Sequence, residues 1–165
     1  MASTAQEAHL PALGHHQREE VGRELQATLI ELIDLSLIGK QLHWNIFGRP
    51  FKPLHEHLDE LVDSWRELSD TVAERAVALG LAPDGQVAAV NDGSEITPVD
   101  SGSLDTDAAT RELVQRLADV TERIRGRMDR LGELDLASQD VLIETIRELE
   151  KQQWMLRVSL PAGAP

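Results

Sequence analysis

The 165-residue chain carries 29 Asp and Glu against 16 Lys and Arg, a net charge of -13, with no cysteine and no tyrosine. Its length suits one domain around a single core, and the missing cysteines exclude disulfides, thiolate metal sites and cysteine nucleophiles. The acidic excess argues against sequence-independent nucleic-acid binding, which relies on Lys and Arg neutralising phosphates, and suits a protein that attracts cations.

Residues 1–16 read as a flexible tail, with small residues, Pro11 and Gly14 and no apolar period. The first 20 residues lack a basic start followed by an apolar run, and no stretch approaches the roughly 18 apolar residues of a membrane span, so a cytoplasmic protein is expected. From about Gln17 a helical period begins, with Val21, Leu25, Leu29, Leu32, Ser36, Gly39 and His43 at steps of three or four. Gly48-Arg49-Pro50 breaks it. A second long helix places Leu54, Leu58, Leu61, Val62, Trp65, Leu68, Val72 and Leu79 on one face, with Gly80 as its stop signal.

Residues 81–103, rich in Gly, Pro, Asp and Ser, predict a long connection whose apolar centre, Val87 to Val90, forms a short extra helix. A third helix starts near 104–107 and carries Leu113, Leu117, Val120, Ile124 and Leu131. After Gly132 a fourth runs from about Asp135 to Leu160, with Val141, Leu142, Thr145, Leu149 and Leu156 facing inward and Trp154 read as packing. Residues 161–165 form a short tail. Four amphipathic helices over 17–160 with one long crossover predict an all-α four-helix bundle.

Five residues stand out for chemistry: His43 on the first helix, and His55, Asp59, Asp70 and Glu74 on the second. Imidazole and carboxylate together suit iron, zinc or manganese. Each i,i+4 pair shares a helix face, yet either pair alone also reads as an ordinary solvated helix surface, and His43 alone as a buried core histidine. The row is too long for one site, because the eleven steps from Asp59 to Asp70 span about 16 Å of helix axis. A bridged metal pair spans only about 3.5–4 Å. A second copy packed antiparallel about a two-fold axis would bring one half-row against the other, giving two equivalent intersubunit sites. The other bundle arrangement, with Glu-x-x-His on two helices, cannot be built, since the histidines are at 9, 15, 16, 43, 55 and 57.

The stretch Lys40-Gln41-Leu42-His43-Trp44-Asn45, the run Phe51 to Glu60 with His55 and Asp59, and Asp70-Thr-Val-Ala-Glu74-Arg75 together closely resemble the Dps family of miniferritins. The steps of twelve, four, eleven and four between the five ligand residues match that family's ferroxidase signature. The segment around Trp154 is similar to its last helix. The resemblance spans roughly 18–160. It implies a ferritin-like bundle assembled as a hollow dodecamer. His43, His55 and Asp59 would come from one subunit and Asp70 and Glu74 from its two-fold mate. Two iron(II) ions per site would be oxidised, preferably by hydrogen peroxide, and the ferric product stored inside. It further implies that Trp44 and Trp65 are aromatics near the site able to intercept stray oxidising equivalents. It also places Glu133, Asp135 and Asp140 where the family lines its iron-entry pores, although acids there equally suit a helix N-terminus.

The sequence departs from the family in its tails, which hold no lysine; only Lys40, Lys52 and Lys151 occur. Direct DNA binding at neutral pH is therefore not expected, apart from a weak mode through protonation of His9, His15 and His16. Other readings are a nucleoid-condensing structural protein, a helical interaction module, and a manganese or zinc site without ferroxidase turnover.

Overall fold

A computed structural model describes residues 10–11 and 13–161. Most of the expected N-terminal tail, including His9, and residues 162–165 of the C-terminal one lie outside the described residues. The first helix, α1 (His15–Asn45), starts two residues before the apolar period at Gln17. His15 and His16, assigned to the tail by sequence, instead occupy its first turn, with Nδ1 at 3.5 Å from Glu19 and 3.6 Å from Glu20. A two-residue strand, β1 (Ile46–Phe47), follows, and then α2 (Phe51–Ala78). Pro53 falls in the first turn of α2, where its missing N–H has no intrahelical partner to lose. The helix closes on Gly80, whose φ of +77° is accessible to glycine at little cost; the amides of Gly80 and Leu81 bond back to Val77 and Ala76.

The long connection contains α3 (Val87–Gly93), the expected short helix, and a second two-residue strand, β2 (Leu104–Asp105). β1 and β2 pair in parallel, Ile46 opposite Leu104 and Phe47 opposite Asp105. Periodicity gives no hint of so short a ladder. Side chains fix the crossover elsewhere. Gln26 and Asp84 exchange two hydrogen bonds, Ser94 donates to Asp34 at 2.5 Å, and the Arg116 guanidinium donates to the carbonyls of Thr97 and Pro98.

The bundle is completed by α4 (Thr106–Gly132) and α5 (Leu136–Ser159). Each begins with an aspartate that accepts from the backbone of its own first turn, Asp105 from the Asp107 amide and Asp135 from the Ser138 amide. α1 packs chiefly on α2 and α4 on α5. The core draws on the faces that the helical period selects: Val21, Leu25, Leu32, Leu58, Trp65, Leu113, Leu117, Ile124, Leu142 and Leu149 are buried. Core hydroxyls on Thr28, Ser36, Thr110, Thr121 and Thr145 donate to carbonyls one turn back, so their burial leaves no unpaired donor. Trp154 departs from its assigned packing role, being 54 % exposed on α5. Among the described residues, no helix is long and apolar enough to cross a membrane.

Candidate metal centre

The end of α1 and the second and third turns of α2 lie side by side, and there three of the five singled-out residues meet. The rings of His43 and His55 stack with centroids 3.6 Å apart. Each places its Nδ1 at the other's main-chain carbonyl, His43 to His55 O at 2.9 Å and His55 to His43 O at 3.1 Å. A carbonyl oxygen only accepts, so both Nδ1 atoms carry the hydrogen. In the neutral rings the lone pair is left on Nε2, the state a metal ligand requires. Asp59, one turn beyond His55, brings Oδ1 within 3.3 Å of His43 Nδ1.

The same carboxylate oxygen receives a hydrogen bond from Lys40 Nζ at 2.6 Å. That bond holds the Asp59 carboxyl below its ordinary value of 3.8, against a smaller opposing effect of burial and with help from the field of His43. Asp59 is therefore a full carboxylate at neutral pH, with one of its oxygens already paired to the Lys40 ammonium. Lys40 was not singled out in the sequence; the available signal was one of only three lysines, placed one turn before His43.

Asp70 and Glu74 do not join this cluster. Both lie exposed toward the far end of α2, with the eleven steps from Asp59 to Asp70 covering about 16 Å of axis. Among the described residues, no group of three or more His, Asp or Glu within one chain is set to hold a metal ion. The five residues thus divide into His43, His55 and Asp59 where α1 meets α2, and Asp70 and Glu74 farther along α2.

The other candidates separate as well. Trp44, beside His43, is 68 % exposed, with Lys40 Nζ 5.9 Å from its ring centroid. Trp65 is in the core, its indole N–H donating to Gln152 Oε1 at 2.8 Å, and Gln152 Nε2 continuing to Ser64 and Glu148.

Comparison with known proteins places the fold. The ferritin-like domain profile matches residues 23–160. The chain is 36 % identical over 156 residues to the DNA protection during starvation protein of Mycolicibacterium smegmatis, covering 93 % of this chain and 84 % of that one. The structure of Mycobacterium smegmatis Dps in its tetragonal form superposes with a TM-score of 0.89 at 34 % identity, covering 94 % of this chain and 95 % of the other. DpsA14 from Streptomyces coelicolor gives 0.88 at 33 % identity over 94 % and 93 % of the two chains.

The chain belongs to the Dps family of ferritin-like proteins.

In this Dps-family chain the three acids of the α4–α5 region have different surroundings. Asp135 caps α5 and accepts from Arg75 Nη2 at 2.6 Å and Ser138 Oγ at 2.5 Å. Burial pushes its carboxyl up, but the bonds from Ser138 and Arg75 outweigh this and leave it below 3.8. Glu133 and Asp140 are exposed. Asp140 lines a groove of about 710 Å³ between α2 and α5 together with Glu67, Glu144 and Glu148. No pattern along the sequence singles out those last three carboxylates, because only the pairing of α2 with α5 brings them together.

Proposed function

We propose that this Dps-family protein oxidises iron(II), preferably with hydrogen peroxide, at di-iron sites shared across a two-fold axis between subunits. It stores the ferric product inside a hollow dodecamer in the cytoplasm and so limits oxidative damage. The observation that carries this reading is the three-and-two division of the ligand residues. His43, His55 and Asp59 form half a site with tautomers suited to coordination through Nε2, while Asp70 and Glu74 offer exposed carboxylates on the same helix, too distant to complete it within one chain. A two-fold mate supplies the missing half twice over.

The chemistry follows from the donor set. Two iron(II) ions each give one electron to one peroxide, the O–O bond breaks, and the oxygen ends at the oxidation level of water, so no hydroxyl radical is released. Carboxylates favour the more highly charged ferric product, and five side chains for two metals leave positions open to the oxidant. Lys40 must leave Asp59 when iron binds. Trp44, exposed beside His43, is a one-electron donor for oxidising equivalents that escape, with the buried Trp65 as a second. Exposed Glu133 and Asp140 lie on the iron entry route. Asp135, whose carboxylate is already held by Arg75 and Ser138, contributes to that route only by shaping the turn.

Direct DNA binding is not part of the proposal. The described lysines and most arginines sit in ion pairs within the chain, such as Lys52 with Glu56, Arg125 with Glu150 and Lys151 with Glu148. Few cations remain for phosphates. The alternative, a nucleoid-condensing structural protein, predicts a gel shift at low salt.

The decisive experiment is anaerobic iron(II) loading followed by a peroxide pulse, monitored by ferric absorbance, for wild type and His43→Ala/Asp70→Ala. Rapid ferric formation that the double variant loses while staying assembled supports the proposal; equal slow oxidation in both overturns it.

A further inference from the structure

Trp65 is fully buried and Gln152 only 4 % exposed, and together they join two sides of the bundle. The six-membered edge of the indole lies against α1, where a Cβ on Gly39 would fall 2.7 Å from Trp65 Cζ3. Gly39 is one turn before His43, and Trp65 follows Asp59 on α2 by about 9 Å of helix axis. The opposite edge of the ring faces α5, where the indole N–H donates to Gln152 Oε1 at 2.8 Å. Gln152 Nε2 in turn donates to Ser64 Oγ at 2.9 Å and to Glu148 Oε1 at 3.1 Å.

These bonds fix which way the Gln152 amide points. An indole N–H only donates and a carboxylate oxygen accepts, so the amide oxygen faces Trp65 and the nitrogen faces Glu148. An indole that has lost one electron has a strongly acidic N–H, and a carboxylate or imidazole beside it would take the proton. A carboxamide oxygen holds the hydrogen bond but is too weak a base to do so.

We propose that Gln152 is a positioning residue that keeps oxidised Trp65 as its radical cation, which makes this buried tryptophan an electron relay instead of a final sink. The inference rests on the proposed ferroxidase reaction. A site holding a single iron(II) gives peroxide one electron, and the O–O bond breaks to hydroxide and a hydroxyl radical. Trp65 supplies the next electron, which turns that radical into a second hydroxide and leaves the ring one electron short with its N–H bond intact. A second iron(II) returns the electron, and no proton has to follow it to the ring. The sum is two iron(II) oxidised per peroxide, as at a fully loaded site, with no side chain left oxidised.

The test uses the full chain carrying Trp44→Phe and Trp154→Phe, which leaves Trp65 as the one tryptophan. The protein is loaded anaerobically with half the iron(II) that fills its sites, pulsed with peroxide and freeze-quenched for electron paramagnetic resonance. Ferric absorbance is followed on the same sample. The expected signal is a tryptophan radical that keeps an exchangeable hydrogen on the indole nitrogen, seen by electron–nuclear double resonance. Adding more iron(II) should discharge it at the same rate in light and heavy water. Gln152→Glu on this background, at unchanged helicity, should give the neutral radical, discharged several-fold more slowly and with a solvent deuterium effect. A neutral radical with Gln152 in place, or one that outlasts added iron(II), would overturn the proposal whether or not Gln152→Glu folds. The same radical cation in Gln152→Glu would overturn the role of Gln152. Rapid ferric formation with no tryptophan radical would overturn the relay and leave the ferroxidase reading standing. Failure of rapid ferric formation in the fully loaded wild type would overturn both.

Discussion

Lys40 reaches across from α1 to place its ammonium 2.6 Å from the Asp59 carboxylate on α2, so the candidate half-site holds an internal cation before any iron arrives. Under the proposed function, iron(II) and Lys40 would compete for that one oxygen. Lys40→Gln removes the competitor without emptying the space. For a pair this exposed, about two- to fivefold tighter iron(II) binding is expected, measured by anaerobic isothermal titration at neutral pH. Equal or weaker binding would show that Lys40 does not oppose the metal.

The Arg75–Asp135–Ser138 cluster ties the end of α2 to the first turn of α5. Asp135→Ala removes a helix cap and an ion-pair partner together, and is expected to cost about 0.5–2 kcal/mol, the range for a lost cap. The folded-state carboxyl lies below 3.8. Its contribution is therefore fully present above the unfolded carboxylate range and is lost as pH falls through the folded value. The gap in melting temperature between wild type and Asp135→Ala should be open at pH 7 and close below about pH 4. A gap that does not change with pH would sink this assignment.

Glu31 is 1 % exposed and pairs with Arg123 and with Arg127, itself nearly as deeply buried. Glu31→Gln removes only the charge and leaves a buried guanidinium uncompensated, with an expected loss of about 3–5 kcal/mol in urea unfolding. Glu150→Ala, which breaks the exposed pair with Arg125, should cost less than about 1 kcal/mol. Similar losses at the two positions would contradict the burial argument.

Gly39 lets α1 and α2 approach closely: a Cβ there would lie 2.6 Å from Val62 Cγ2 and 2.7 Å from Trp65 Cζ3. Gly39→Ala should destabilise by about 1–3 kcal/mol through overpacking. Because Gly39 is one turn before His43, peroxide-driven iron oxidation should slow as well. At Gly126 the nearest atom is Arg130 Nη1 at 3.6 Å, and Gly126→Ala should stabilise α4 by about 0.5–1 kcal/mol. Thermal melts of the two variants should move in opposite directions.

The helices and their inward faces were legible because a 3.6-residue period marks burial directly. Ser36, Gly39 and His43 were placed on the core face of α1 beside its leucines, and all three are buried. Gly80 announced the end of α2 through the one backbone conformation it alone adopts readily. The separation of Asp59 from Asp70 was legible too, since axial rise needs only residue numbers. What stayed hidden depends on which helix lies beside which. The reach of Lys40 to Asp59, the use of Asp135 by Arg75, the Glu67–Glu144–Glu148 groove and the β1–β2 ladder all arise between elements. No period along one segment encodes them. Trp154 looked like core because tryptophan usually is.

The pairing of α1 with α2 and of α4 with α5 bears on the order of folding. His43, His55 and Asp59 lie wholly within the first helical hairpin, joined by the short turn around Gly48, so contacts near in sequence bring them together. The Ile46–Leu104 pairing must instead close a long loop, whose entropy is met before any contact rewards it. Chain emerging from synthesis can therefore set its histidine pair before α4 and α5 exist, while the Ile46–Leu104 ladder waits for the crossover to close.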